Sequence, residues 1–146
     1  KNDKNKSLNE HWSILNKQIT YPNEVKGIKV NVKAQKIHFL MGLLFGWDII
    51  EGNRAAELTI NYEDGSKELI PILGKIDVFD FWDHDSIAKL TDDKIGWEGT
   101  CIEGNRRALT KYSWENPHTD KTISHIDFKS ALDNTAPFIV AITIEE

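Results

Sequence analysis

Tyr112-Ser113-Trp114-Glu115-Asn116-Pro117-His118-Thr119-Asp120-Lys121, running on through Ile123-Ser124-His125-Ile126-Asp127-Phe128, is the stretch that decides the fold. Tyr112 and Trp114 alternate with polar residues, Pro117 fixes a backbone angle, Asn116 favours local side-chain hydrogen bonds, and a second alternating run follows. This pattern predicts a strand, a tight corner and a second strand.

Working outward, Ile28, Val30 and Val32 alternate with Lys29, Asn31 and Lys33, which predicts a half-buried strand. Residues 37–45 are apolar on both sides of the pleat, as suits a central strand covered on two faces. Residues 56–62 and 67–73 flank Glu63-Asp64-Gly65-Ser66, an Asp-Gly hairpin signal, and Pro71 assigns the returning strand to an edge or a bulge. Residues 74–95 lose all periodicity, so a functional loop or a short helix is expected there. Further strands are expected at 97–102, 108–114, 123–129 and 138–144, the last apolar on both faces and therefore placed centrally. Seven or eight short strands without a long helix predict an all-β sandwich. For Leu8 to Gln18 a helix, an opening strand and an irregular lead-in all remain open.

A chain of 146 residues, 40% of them hydrophobic, is the size of one domain. The expected division is a polar lead-in or linker over 1–20, able to hold a first strand, and a single sandwich module over 21–146. A net charge of -5 argues against nucleic acid or an anionic membrane surface as partner. The lone Cys101 excludes an internal disulfide, and no apolar run approaches the roughly 20 residues of a membrane span. The opening Lys1-Asn2-Asp3-Lys4-Asn5-Lys6-Ser7 is polar and has no signal-peptide character, so a piece of a longer secreted protein is expected.

Phe39-Leu40, Tyr62-Glu63-Asp64-Gly65-Ser66, Phe81-Trp82, Trp114-Glu115-Asn116-Pro117-His118, Ala136-Pro137-Phe138 and Ile142-Thr143, in this order, resemble galactose-binding-like jelly-roll modules. Such modules accompany polysaccharide-degrading enzymes of Bacteroidetes and related bacteria, and the likeness spans about residues 25–146. Thr119 stands where the family usually has a second proline, a departure that touches turn rigidity. The resemblance implies a secreted or cell-surface jelly roll of about eight strands. Its partner would be a plant or algal polysaccharide or oligosaccharide, or the catalytic domain of the same polypeptide against which it packs.

Sugar recognition needs flat apolar faces for C–H groups and rigid polar groups for hydroxyls. Trp47 and Trp82 fall in expected loops and are candidate platforms, unless they plug the end of the sandwich; Trp97 and Trp114 fall in strands and are assigned to packing. His84 joins Trp82 in one loop. Arg54, Arg106 and Arg107, with Lys111, follow two similar turns, Ile50-Glu51-Gly52-Asn53 and Ile102-Glu103-Gly104-Asn105. Convergent guanidinium forks would suit an acidic or sulfated glycan, whereas ion pairs with Glu51, Glu103 and Glu115 are the plainer reading. No cofactor is required. Asp80, Asp83 and Asp85, near Asp77, could offer oxygens to a structural calcium, although no full calcium-loop spacing is present and loop aspartates more often cap backbone. His118 and Asp120 could be ligand groups, but the expected role is to hold the turn together through hydrogen bonds to backbone.

No nucleophile elbow, phosphate-cradling loop or zinc-protease helix motif occurs. Pairs such as Asp80 with Glu98, or His84 with Asp83, occur in any acidic protein, so the expectation is a non-catalytic module.

Overall fold

The computed structural model describes residues 21–146, and the expectations for residues 1–20 fall outside the described residues. Eight strands make two four-stranded antiparallel sheets. The first takes β1 (Glu24–Lys33), β7 (Thr122–Ser130), β3 (Arg54–Tyr62) and β4 (Lys67–Leu73) in that spatial order. The second takes β5 (Ile95–Thr100), β6 (Arg106–Glu115), β2 (Lys36–Leu44) and β8 (Ala136–Glu145). Both contribute to one core, in which Ile37, Phe39, Met41 and Leu43 of β2 meet Leu58, Ile60, Ile123 and Ile126 of the other sheet. The protein is therefore all-β with the layering of a sandwich. Among the described residues, no helix is long and apolar enough to cross a membrane.

Local chemistry explains most of the elements. Gly65 takes φ +84° in the turn between β3 and β4, and the Ser66 N–H donates to Asp64 Oδ1 at 2.8 Å; the turn has the residues its backbone needs. Pro71 lies on β4, an edge strand, where its missing donor is tolerated. β2 is central, between β6 and β8.

β8 departs from expectation: it is the outer strand of its sheet. Its inward Ile139, Ile142 and Ile144 pack on the core, while the Phe138 ring is covered edge-on by Phe81 at 5.6 Å. An aromatic ring, not a further strand, covers Phe138, while Val140 of the same strand stays 57% exposed.

The connection after β4 holds α1 (His84–Ala88) and a single 3-10 turn, Asp92–Lys94. Phe79, Ile87 and Leu90 from this connection bury themselves with Ala108 of β6 as a small second core.

The corner after β6 is tied by Asn116, only 6% exposed. Its Nδ2 donates to the carbonyls of Ala34 at 2.8 Å and His118 at 3.1 Å. Its Oδ1 accepts from the Tyr62 hydroxyl at 2.6 Å and the His118 N–H at 2.9 Å. His118 stands edge-on to Tyr62 and bonds the Glu68 side chain at 3.1 Å, whereas the side-chain bonds to backbone expected of His118 and Asp120 are made here by Asn116.

Two outcomes follow from this corner. Asn116→Ala leaves the Tyr62 hydroxyl and the Ala34 carbonyl buried without partners, and should cost about 2–4 kcal/mol in urea unfolding. Burial first, then the charges of Glu68 and Asp64, push the Tyr62 phenol up to about 12. The unfolded chain ionises this group near pH 10, so the folded state holds the proton longer, and stability should fall as pH rises from about 10 to 12. Absorbance titration of the folded protein should show a late-ionising tyrosine that Tyr62→Phe removes.

Candidate functional site

Asp80 is 2% exposed and lies beside Leu43, where the chain runs briefly parallel to the end of β2. Its Oδ2 accepts the Gly46 N–H at 2.6 Å. Its Oδ1 accepts the N–H groups of Trp82 at 2.8 Å and Asp83 at 3.0 Å. One carboxylate thus joins the two loops that carry Trp47 and Trp82. A charged acceptor with several backbone donors is among the strong hydrogen-bond arrangements. Asp83 in turn caps α1, accepting the Ser86 N–H at 3.0 Å.

Both loop indoles face water: Trp47 and Trp82 are each 60% exposed. Phe45 stands edge-on to Trp47 at 5.8 Å, with φ +61°. For so bulky a residue this left-handed conformation costs about 1–2 kcal/mol, so the surrounding contacts impose it. The Lys75 ammonium donates to the Trp47 carbonyl at 3.1 Å and braces the same loop.

On β6, Ala108 and Thr110 point inward, so Arg107, Leu109 and Lys111 alternate onto the outer face of the second sheet. The Arg107 guanidinium lies 4.2 Å from the centre of the Trp82 ring. In a desolvated setting such a cation–π contact contributes about 2 kcal/mol and orients the indole. Trp97 is the register partner of Leu109, which puts it on this outer face, 49% exposed, instead of in the packing role expected from sequence. It lies against Gly99: a Cβ there would come within 2.7 Å of the indole. Gly42 of β2 likewise makes room for the Phe138 ring, 2.8 Å from where its Cβ would stand. The result is a broad aromatic face carrying Trp82, Trp97, Phe81 and Phe138, with one guanidinium set into it.

The other candidates take different places. Arg54 is in the first sheet, paired with Glu57 at 3.2 Å. Arg106 is held by Glu98, its Nη2 and Nε at 2.7 and 3.1 Å from Oε2. These are surface ion pairs, with partners other than the three glutamates expected. His84 and Asp85 are exposed, 3.9 Å apart. Asp80 spends both oxygens on backbone N–H groups and Asp83 caps α1; among the described residues no group of three metal-ligating side chains converges.

Sequence reading missed Trp97 as a surface residue, although a glycine two positions on, on the same face of the strand, is the signal for an indole lying flat. It also missed a contact chain on the same sheet. Ser113 Oγ is 2.7 Å from His38 Nδ1, and His38 Nε2 is 3.3 Å from Glu145 Oε2. Serine, histidine and carboxylate in series resemble the order used in nucleophilic catalysis. Here Ser113 is the register partner of His38, and the series is a cross-strand ladder.

Asp80→Asn replaces one acceptor oxygen by a donor facing backbone N–H groups, and should cost about 2–4 kcal/mol. Hydrogen exchange should quicken at Gly46, Trp82 and Asp83 while the β3–β4 hairpin keeps its protection. Comparison of the chain with protein-family models, curated proteins and solved structures finds no match.

Proposed function

We propose that this protein is a non-catalytic carbohydrate-binding module that holds a polysaccharide chain on the aromatic face around Trp82. The observation that carries this reading is the Trp82 indole, 60% exposed and backed on one side by Arg107. An aromatic ring of this size left in water forgoes much of its burial energy, and one held in a fixed orientation offers a sugar ring a ready stacking surface. Trp97 supplies a second surface on the same sheet face, and Trp47 a third on the loop fastened by Asp80. A jelly-roll, galactose-binding-like subtype and a secreted or cell-surface location belong to the same proposal and rest on the sequence resemblance.

A second reading, a docking module for the catalytic domain of a larger glycan-active enzyme, is favoured by a different feature. A groove of about 680 Å³ lies between β1 and β8, with Val25, Ile28, Phe128, Phe138, Val140 and Ile142 along it. Apolar grooves of this kind suit contacts with a neighbouring domain.

Isothermal titration against neutral, uronic and sulfated polysaccharides tests the first reading. Trp82→Ala should weaken binding at least tenfold and Trp97→Ala by a smaller factor; Trp97→Ala should lose less than about 1 kcal/mol of stability, and Trp82→Ala about 2 kcal/mol with the cation–π contact it removes. Absence of binding across the panel, or unchanged affinity in Trp82→Ala, sinks the platform. Turnover of any polysaccharide in the panel would overturn its non-catalytic character.

A further inference from the structure

Arg106 and Arg107 are neighbours in sequence with opposite surroundings. Arg106 is exposed, and its Nε and Nη2, the pair of donors on one side of the guanidinium, both reach Glu98. Arg107 is only 8% exposed, and its Nη1 donates to the Arg106 carbonyl at 2.8 Å. The corresponding edge of Arg107 is unfilled: Nε is buried without a partner, and Nη2 hydrogen-bonds to no described residue. Among the described residues, no carboxylate lies within salt-bridge distance of it. Glu103, whose carboxyl is lowered first by the Cys101 side chain and only lastly by the charge of Arg107, remains beyond that distance.

A guanidinium this deeply buried is normally paired, because removing a charge from water costs several kcal/mol unless another group compensates. The Trp82 ring compensates its face, and the Arg106 carbonyl takes one donor at the far side. The Nε/Nη2 edge is what remains. Its parallel donors match two oxygens of one anion, as in the fork geometry of arginine with carboxylate. Nε is sealed from water whereas Nη2 is not among the sealed atoms, so an anion meets Nη2 first and reaches Nε by displacing what covers it.

We propose that Arg107 is the anion subsite of the Trp82 platform, its Nε and Nη2 taking a carboxylate or a sulfate ester of an acidic polysaccharide in paired hydrogen bonds. The inference rests on the carbohydrate-binding reading and narrows its ligand to an anionic glycan. The guanidinium thus has two jobs at once: it fixes the indole that stacks on one sugar ring and neutralises the substituent of that ring or of its neighbour. A glycan without the substituent leaves Nε unpaired and should bind more weakly.

Matched ligands test this without altering the protein. Oligogalacturonate is compared with its methyl ester, and a sulfated galactan oligosaccharide with its desulfated form, by titration calorimetry at low and raised salt. The expected result is at least tenfold tighter binding of the charged member of one pair, with the preference shrinking as salt rises. Whichever pair shows it identifies carboxylate or sulfate as the source. Arg107→Lys keeps a charge but lacks the fork, and should lose most of the preference; Arg107→Met should lose all of it. Equal affinity within both pairs overturns the anion subsite and leaves the platform standing. A preference that survives intact in folded Arg107→Lys and Arg107→Met also overturns it. Absence of binding to all four ligands, charged and neutral alike, overturns the subsite and the platform together.

Discussion

The buried carboxylate of Asp80 is the constraint on which the candidate site depends. Three backbone N–H groups from two loops far apart in sequence converge on it. In a low-dielectric setting such bonds are strong, and leaving any of these donors unmet is costly. The loops therefore behave as one piece, and Trp47 and Trp82 are presented from a common base instead of from two independent segments. The left-handed Phe45 fits the same picture, since the neighbouring bonds over-determine a backbone angle the residue would not choose alone.

From that base the site grows across the second sheet. Trp82 lies on Arg107, Arg107 rises from β6, and the register of β5 with β6 sets Trp97 on the same face. The two sheets meet through β2, whose buried residues form the core while its outward Gly42 admits Phe138. Core and surface thus share one strand: the inward positions stabilise the sandwich, and the outward ones shape what a ligand would meet.

Much of this architecture was legible in sequence wherever the signal is local. The Asp64-Gly65 turn and the edge or bulge announced by Pro71 follow from residues that act on their own backbone, while the central β2 rests on apolarity of both faces and the short helix is one of two readings of 74–95. What stayed hidden depends on register between distant strands. β8 reads as central because apolarity on two faces does not say whether a strand or a ring such as Phe81 covers the second. Trp97 reads as packing because alternation gives two faces without telling which one is wet. The site was legible in part: Trp47, Trp82 and Arg107 were singled out, but the stacking of Arg107 on Trp82 and its unfilled edge are consequences of the fold. Arg54 and Arg106 show the converse, since equally suggestive residues are held by Glu57 and Glu98.

The glycines beneath the aromatic face carry a consequence for how such a surface can change over evolutionary time. Gly42 and Gly99 create level ground by lacking a side chain, and the rings of Phe138 and Trp97 lie in the space left vacant. The relief of the face is thus written in atoms that are missing, at positions no ligand need ever touch. A single added methyl group at either would tilt a ring and redraw the terrain, with the aromatic inventory unchanged. On the proposed carbohydrate-binding reading, ligand preference would be open to substitutions under the floor of the site as much as to exchanges among the rings that form it.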